Sequence, residues 1–256
     1  MKILYSEYNQ DYKNYQFPYC IWAFPDNFDD IREIFSSGFL PSGSKPTRFY
    51  LARSVRIACD KFRLTSENKR ILNKFKCIDI ELIDKKVFDI SDELFDMCIR
   101  SANSRFGNDI MSKERLYKII SSEHTTHYLI FKNNNVINGL VTCFVFNNEF
   151  VHYNFSFFDL GSDNKKMGIY LMTRAIHYLK HECFHYIYLG TCYTQKAKYK
   201  TQFLGLEFFN GSIWSSNKDE LKFLLLRDEI KNQHHLLEDE NYLTMFLGGD
   251  LNNLVL

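Results

Sequence analysis

Three apolar runs follow one another between His127 and Asp159: HYLIFKN, INGLVTCFVFN and EFVHYNFSFFD, parted by the knots KNNN and NNE. β-Branched and aromatic residues dominate the runs, and the knots carry residue types that reverse a chain, so the stretch predicts hairpin-linked strands in an antiparallel meander. Behind it, after the loop LGSDN, KKMGIYLMTRAIHYLKHE repeats apolar residues at helical spacing, and HYIYLG reads as a further strand. Ahead of it, DISDELFDMCIRSANSRFG sets Leu94, Phe95, Cys98 and Ile99 along one helical side, and SKERLYKII begins a second helix at Ser112. Farther on come a helix start, a short strand and the helix KDELKFLLLRDEIK, while LGGDLNNLVL has no strong reading.

From residue 85 the order is therefore two helices, a meander, a long helix, a strand, a helix start and a final strand. It resembles the order of a GNAT-type acyltransferase domain. The expected fold is α+β, a mixed and largely antiparallel sheet flanked by helices over 85–256, with an N-terminal α/β extension over 1–84. Such an order bounds the fold and not the reaction. In the extension, FDDIREIFSSGFLP is a helix with Ile31, Ile34 and Phe35 on one face and Gly38 at its cap. FLPSGSKP is turn chemistry, and FYLARSVRIACDKFRL reads as one or two strands with arginines on a single face. TSENKRILNKF opens with capping residues and is a short helix.

With 256 residues and ordinary apolar content, the chain can bury a core of normal size. Its net charge of +1 argues against a surface that coats nucleic acid or anionic membrane throughout, but leaves room for a local patch. The seven cysteines are odd in number, scattered and never in C-x-x-C spacing, so a reducing compartment is expected and a disulfide framework or zinc knuckle is not. No metal is assigned to the histidines, such as His152, His177, His181, His185, His234 and His235. MKILYSEYNQDYKNY has no apolar signal core, and no run approaches the roughly 18 apolar residues that would span a bilayer. The expectation is a soluble, cytoplasmic protein without a membrane partner. The oligomeric state is left open.

Charge is nonetheless clustered. Between Arg48 and Lys76 stand nine Lys or Arg against Asp60 and Glu67. Such a cluster suits phosphate contacts, Arg above all for its bidentate geometry; a solvated surface balanced by acids elsewhere in the fold is the other reading. In FFDLGSDNKKMG, Gly168 alone stands where a coenzyme A pyrophosphate loop would want glycine, and Asp163 would repel the anion. Lys165 and Lys166 oppose the helix dipole there, either inviting an anion or simply lying in solvent. In YLGTCYTQKAKYKTQFLGLEFFNG, a helix begun at QKAKYK would stack Lys196 over Lys200, with Tyr193 and Tyr199 as hydroxyl donors or as packing residues.

Together FYLARSVRI, TSENKRILNKF, HYNFSFFDL and HYIYLGTCYTQKAKYKTQFLGLEF resemble the arginyl-tRNA–protein transferases and their bacterial leucyl relatives. The matching elements are Phe157-Phe158-Asp159, Tyr188-Leu189-Gly190-Thr191 and the block from Lys196 through Glu207. The resemblance implies transfer of an amino acid from charged tRNA to the N-terminal α-amine of an acceptor protein, with aminoacyl-tRNA as co-substrate and no other cofactor. It implies Asp159, Tyr188 and Tyr199 as catalytic residues, and Tyr153, Ser156, Thr191 and Glu207 as the substrate pocket. Arg53, Arg56, Lys69, Arg70, Lys165, Lys166, Lys196 and Lys200 would bind tRNA. The chain departs from the family in holding Cys20 alone where a cysteine-rich region is usual, in lacking the proline before Glu207, and in placing Thr191 where an aromatic is common. An acyl-CoA-dependent N-acyltransferase and a non-catalytic tRNA-binding protein are the alternatives.

Overall fold

The computed structural model describes residues 1–75, 78–159, 161, 166–230 and 235–253. The chain begins with β1 (Lys2–Glu7), β2 (Tyr19–Phe24), α1 (Asp30–Ser36), β3 (Phe39–Pro41) and β4 (Phe49–Leu51), and these strands form a small antiparallel sheet in the order β1-β2-β4-β3. α1 buries the expected Ile31, Ile34 and Phe35. Gly38 follows it with φ +86°, and a Cβ there would lie 2.4 Å from the Phe209 ring, so only glycine fits without displacement.

Next come β5 (Ser54–Ala58), α2 (Ser66–Lys74) and β6 (Asp79–Asp84), then α3 (Asp92–Phe106) and α4 (Lys113–Ser121). The helices start where the sequence expects. Thr65 and Asn68 exchange capping-box hydrogen bonds, and the Ser91 and Ser112 hydroxyls accept from the backbone N–H of the third residue of their helices, Leu94 and Arg115. The meander is β7 (His127–Asn133), β8 (Val136–Phe146) and β9 (Phe150–Phe158). Its turns carry positive φ at Asn134, Asn135, Asn147 and Asn148, a conformation that asparagine tolerates better than most side chains. α5 (Met167–His181), β10 (Tyr186–Thr191), a 3₁₀ segment (Gln195–Gln202), β11 (Leu206–Phe209), β12 (Trp214–Ser215), α6 (Lys218–Arg227) and α7 (Glu240–Leu247) follow.

The larger sheet runs β12-β11-β5-β10-β9-β8-β7-β6. Its pairs are antiparallel except β9 with β10, which α5 connects as a crossover. One face packs on α2, α5, α6 and α7 through residues such as Val141, Tyr170, Ile176, Ile187 and Leu224. The other face carries two separate cores. Phe144, Phe150 and Tyr188 meet α1 and the small sheet, while Tyr128, Leu140 and Phe157 meet α3 and α4.

β5, α2 and β6 precede residue 85, yet β5 lies between β10 and β11, so the larger sheet draws on both sides of the 84/85 division. Arg56 explains why β5 sits there. Its guanidinium lies 3.9 Å from the Trp214 ring centre and 4.0 Å from that of Tyr186, and its Nε donates to Glu207 Oε2 at 2.9 Å. Glu207 also accepts from Lys61 at 2.8 Å, and Arg56 donates to the Tyr188 hydroxyl at 3.4 Å. Removing one partner of a buried pair strands the other charge. Glu207→Ala is therefore expected to lower stability to urea by about 3–5 kcal/mol, and the double change Arg56→Met with Glu207→Leu to restore most of it. Equal losses in both variants would contradict this role.

Candidate active site

β9 and β10 pair for three residues, ending at Tyr188 opposite His152, and then part. Two local features accompany the parting. β9 carries a bulge: Val141 faces Ser156 and Cys143 faces Tyr153, so one extra residue of β9 is accommodated around Asn154 and Phe155. The Thr142 hydroxyl accepts from the Phe155 N–H at 3.2 Å, fixing the bulge. On the other strand Gly190 has φ +80°.

Two clefts reach the opening. The larger, about 650 Å³, lies between the small sheet and α4, where the two cores on this face leave a seam. Leu40, Ser44 and Tyr50 line one wall, Lys118 and Ser122 the other, and His124, His152, Gly190 and Thr191 also line it. The smaller, about 410 Å³, is lined by Arg105, Phe106, Tyr153, Ser156, Met172, Leu189, Tyr199 and Lys200. Arg115, Asn154 and Phe155 belong to both.

Apart from the Lys200 ammonium, the buried polar side chains of this site are uncharged. His152 is buried with Nδ1 lacking a hydrogen-bond partner, and burial pushes its pKa down to about 3, helped by His124 and Lys200. His124 Nε2 lies 2.8 Å from the Lys45 carbonyl, which only accepts, so Nε2 carries the proton and the unpartnered Nδ1 is a bare acceptor. Burial lowers its pKa as well. Tyr153 Oη is likewise buried without a partner, and burial holds its phenol well above the usual range. Unpaired buried polar atoms beside a cleft are the groups a bound ligand would satisfy.

Charge is placed at the edges. Lys200 Nζ donates to the carbonyls of Leu189 and Thr191 at 2.7 and 2.8 Å, clamping the end of β10, and burial lowers its pKa. Arg105 donates to the Ser156 carbonyl at 2.8 Å and lies over the rings of Phe158 and Phe106. Arg115 donates to the Ile110 carbonyl at 2.7 Å.

Of the residues singled out from sequence, Tyr153, Ser156, Tyr199 and Lys200 line the smaller cleft and Thr191 the larger. Asp159 is exposed just beyond β9 and lines neither. Tyr188 is packed between Phe35, Phe150 and Trp214, and Glu207 serves Arg56 and Lys61. Arg53 pairs with Asp228 at 2.5 Å and lies over Tyr193. The arginines of this segment thus do not project together from one face, because Arg53 and Arg56 are each turned to a separate internal carboxylate. Lys69 is exposed on α2, and Arg70 pairs with Glu67 there. Lys166 precedes α5, and Lys165 falls outside the described residues. Lys196 is exposed, and a 3₁₀ segment replaces the expected α-helical stacking of Lys196 on Lys200. His124, His152, Asn154, Arg105 and Arg115 were not singled out for this site. The bulge that gathers them leaves no local mark in EFVHYNFSFFD.

Element order, one parallel junction and helices on both faces define a GNAT-type α+β fold. No protein-family model matches the chain, and no curated protein matches it. Among solved structures it is similar to the C-terminal domain of a protein from Agrobacterium fabrum described as a candidate lysylphosphatidylglycerol synthetase (TM-score 0.44, 11% identity, 64% of this chain and 52% of that one). It is also similar to L-PGS from Bacillus licheniformis (0.41, 10%, 64% and 52%) and to FemX (0.42, 9%, 68% and 63%). The chain spans about half the length of the first two.

The neutral histidine has a measurable consequence. His152 has its folded pKa depressed to about 3, so below its unfolded value the unfolded chain binds the extra proton. Stability from this group is complete above pH ~6.5 and is lost as pH falls toward 3. Urea denaturation between pH 6 and 4 is expected to show a shallower loss in His152→Gln than in the parent, by about 1 kcal/mol per pH unit. Parallel curves would show that His152 is not held neutral.

Proposed function

We propose that the protein transfers an aminoacyl group from a charged tRNA to an amine, the acceptor being the N-terminal α-amine of a protein. One observation carries the reading: two clefts meet where β9 and β10 part and share Arg115, Asn154 and Phe155. Transfer between two large substrates needs two approaches to one point, so that ester and amine meet in a fixed orientation.

The smaller cleft suits the donor. Phe106 and Phe155 offer rings to a terminal base, and Arg105, Arg115 and Lys200 offer positive charge to its phosphates. The larger cleft then receives the acceptor beside His152. The amine nitrogen attacks the ester carbonyl carbon, forming the C–N bond. The tetrahedral intermediate collapses by breaking the ester C–O bond, and the proton lost by nitrogen ends on the ribose oxygen. His152, uncharged at neutral pH, offers the attacking nitrogen a hydrogen-bond acceptor that orients it, its low basicity making it a positioning group and not the proton's destination. Tyr199, a phenol that keeps its proton at neutral pH, is the candidate donor to the leaving oxygen. The arginyl donor and an acidic N-terminal acceptor are the finer form implied by the motif resemblance.

The test is incorporation of labelled amino acids from charged tRNAs into peptides of varied N-terminal residue. His152→Gln is expected to lower kcat about 10²-fold, with Tyr199→Phe also slow. Acetyl transfer from acetyl-coenzyme A, with no incorporation from any charged tRNA into any peptide, would overturn the proposal.

A further inference from the structure

A second cationic site lies on the opposite face of the larger sheet, between α2 and α5. The groove is about 330 Å³ and is lined by Phe62, Arg63, Leu64, Lys69, His177, Lys180 and His181. Five of these seven side chains are basic and none is acidic. Arg63 donates to the carbonyls of Asp60 and Phe62 at 2.7 Å each, and Lys180 to that of Phe62 at 2.7 Å. Guanidinium and ammonium groups carry more donors than these bonds use. Of the carboxylates nearby on α2, Glu67 is held by Arg70 at 2.6 Å.

The charge extends along α5. Arg174, His177 and His181 stand at i, i+3 and i+7, one helical stripe of about 10 Å at 1.5 Å rise per residue. The His177 and His181 rings are 4.7 Å apart, and His177 Nδ1 is buried without a partner. Two histidines one turn apart also suit a metal. Here, however, Arg63, Lys69 and Lys180 share the groove, and among the described residues no group of three or more His, Cys, Asp or Glu is placed to hold one. Burial, with His181 and Arg174 beside it, pushes the His177 pKa down, so the charge here is that of Arg63, Lys69, Arg174 and Lys180, and like charges gathered this way call for a polyanion. A nucleic-acid duplex carries a charge every ~1.7 Å of axis, which matches a row of this length with several phosphates. A lipid surface fits less well, since neither α2, α5 nor the loop at 62–64 exposes a large apolar side chain to insert.

We propose that the groove between α2 and α5 binds the phosphodiester backbone of an RNA duplex, through Arg63, Lys69, His177, Lys180 and His181. The binding stands on the groove itself; that the duplex is the acceptor stem of a charged tRNA rests on the function proposed above. The spacing accords with that identity. Met172 lines the smaller cleft, and His177 to His181 lie ~8–14 Å farther along the same helix.

The test is binding of a fluorescent RNA hairpin to the full chain, by anisotropy over a range of salt. Lys69 and His181 are exposed, so Lys69→Gln with His181→Gln leaves the core intact. This variant is expected to bind about 10-fold more weakly, with a salt slope shallower by about one to two. Lys222→Gln on α6 controls for net charge and is expected to bind as the parent does. An unchanged affinity and slope in the double variant would overturn the proposal, as would an equal loss in Lys222→Gln. Binding of anionic vesicles through the same residues, without RNA binding, would overturn it in favour of a lipid surface. Groove-dependent RNA binding without any aminoacyl transfer would support the groove while removing the proposed reaction. Transfer that survives with groove-independent RNA binding would do the reverse.

Discussion

The parallel pairing of β9 with β10 is short, and the candidate site depends on how it ends. A strand that leaves its neighbour inside a protein exposes backbone groups that must find other partners. On the β8 side of the bulge the Thr142 hydroxyl accepts from the Phe155 N–H of β9, and at the end of β10 the Lys200 ammonium takes the carbonyls of Leu189 and Thr191. Side chains thereby hold open a gap that backbone pairing would otherwise close. Lys200 is a clamp on the strand as well as a wall of the smaller cleft, so its charge is bound to the geometry it maintains.

The rest of the fold defends that gap. β5 braces the far edge of β10, and the Arg56–Glu207 pair between Tyr186 and Trp214 fixes β5 against β11 and β12. The small sheet and α4 stand apart over the other face, each on its own core, and the seam between them is the larger cleft. Gly205 shows how tightly the bracing is drawn. With φ +77°, it would place a Cβ 2.7 Å from the Ala58 carbonyl and 2.9 Å from the Phe62 nitrogen.

Local signals were legible and long-range ones were not. The helix starts at Thr65, Ser91 and Ser112 and the asparagine turns of the meander are decided by residues within a few positions, so the sequence displays them. β1 escaped because KILYSE is an edge strand with little buried surface, where apolar alternation has no core face to report. The basic segment misled for a different reason. An arginine facing phosphate and one facing a carboxylate 151 residues away look alike in sequence, and Arg56 is the latter. Of the exposed basic residues in that segment, Arg63 and Lys69 gain meaning only beside His177, Lys180 and His181.

That division of charge bears on the chemistry. The floor of the opening holds neutral His124, His152 and Tyr153, with the Lys200 ammonium tied to two carbonyls, while Arg105, Arg115 and Lys118 stand nearer solvent. A cationic floor would repel an incoming protonated amine before it reached the ester, since two like charges in a poorly solvated place repel strongly. A neutral floor does not. It accepts hydrogen bonds from the amine, while the outer arginines draw in an anionic donor. Burial, which deprives His152 of its charge at neutral pH, therefore makes it compatible with an amine substrate rather than merely inert.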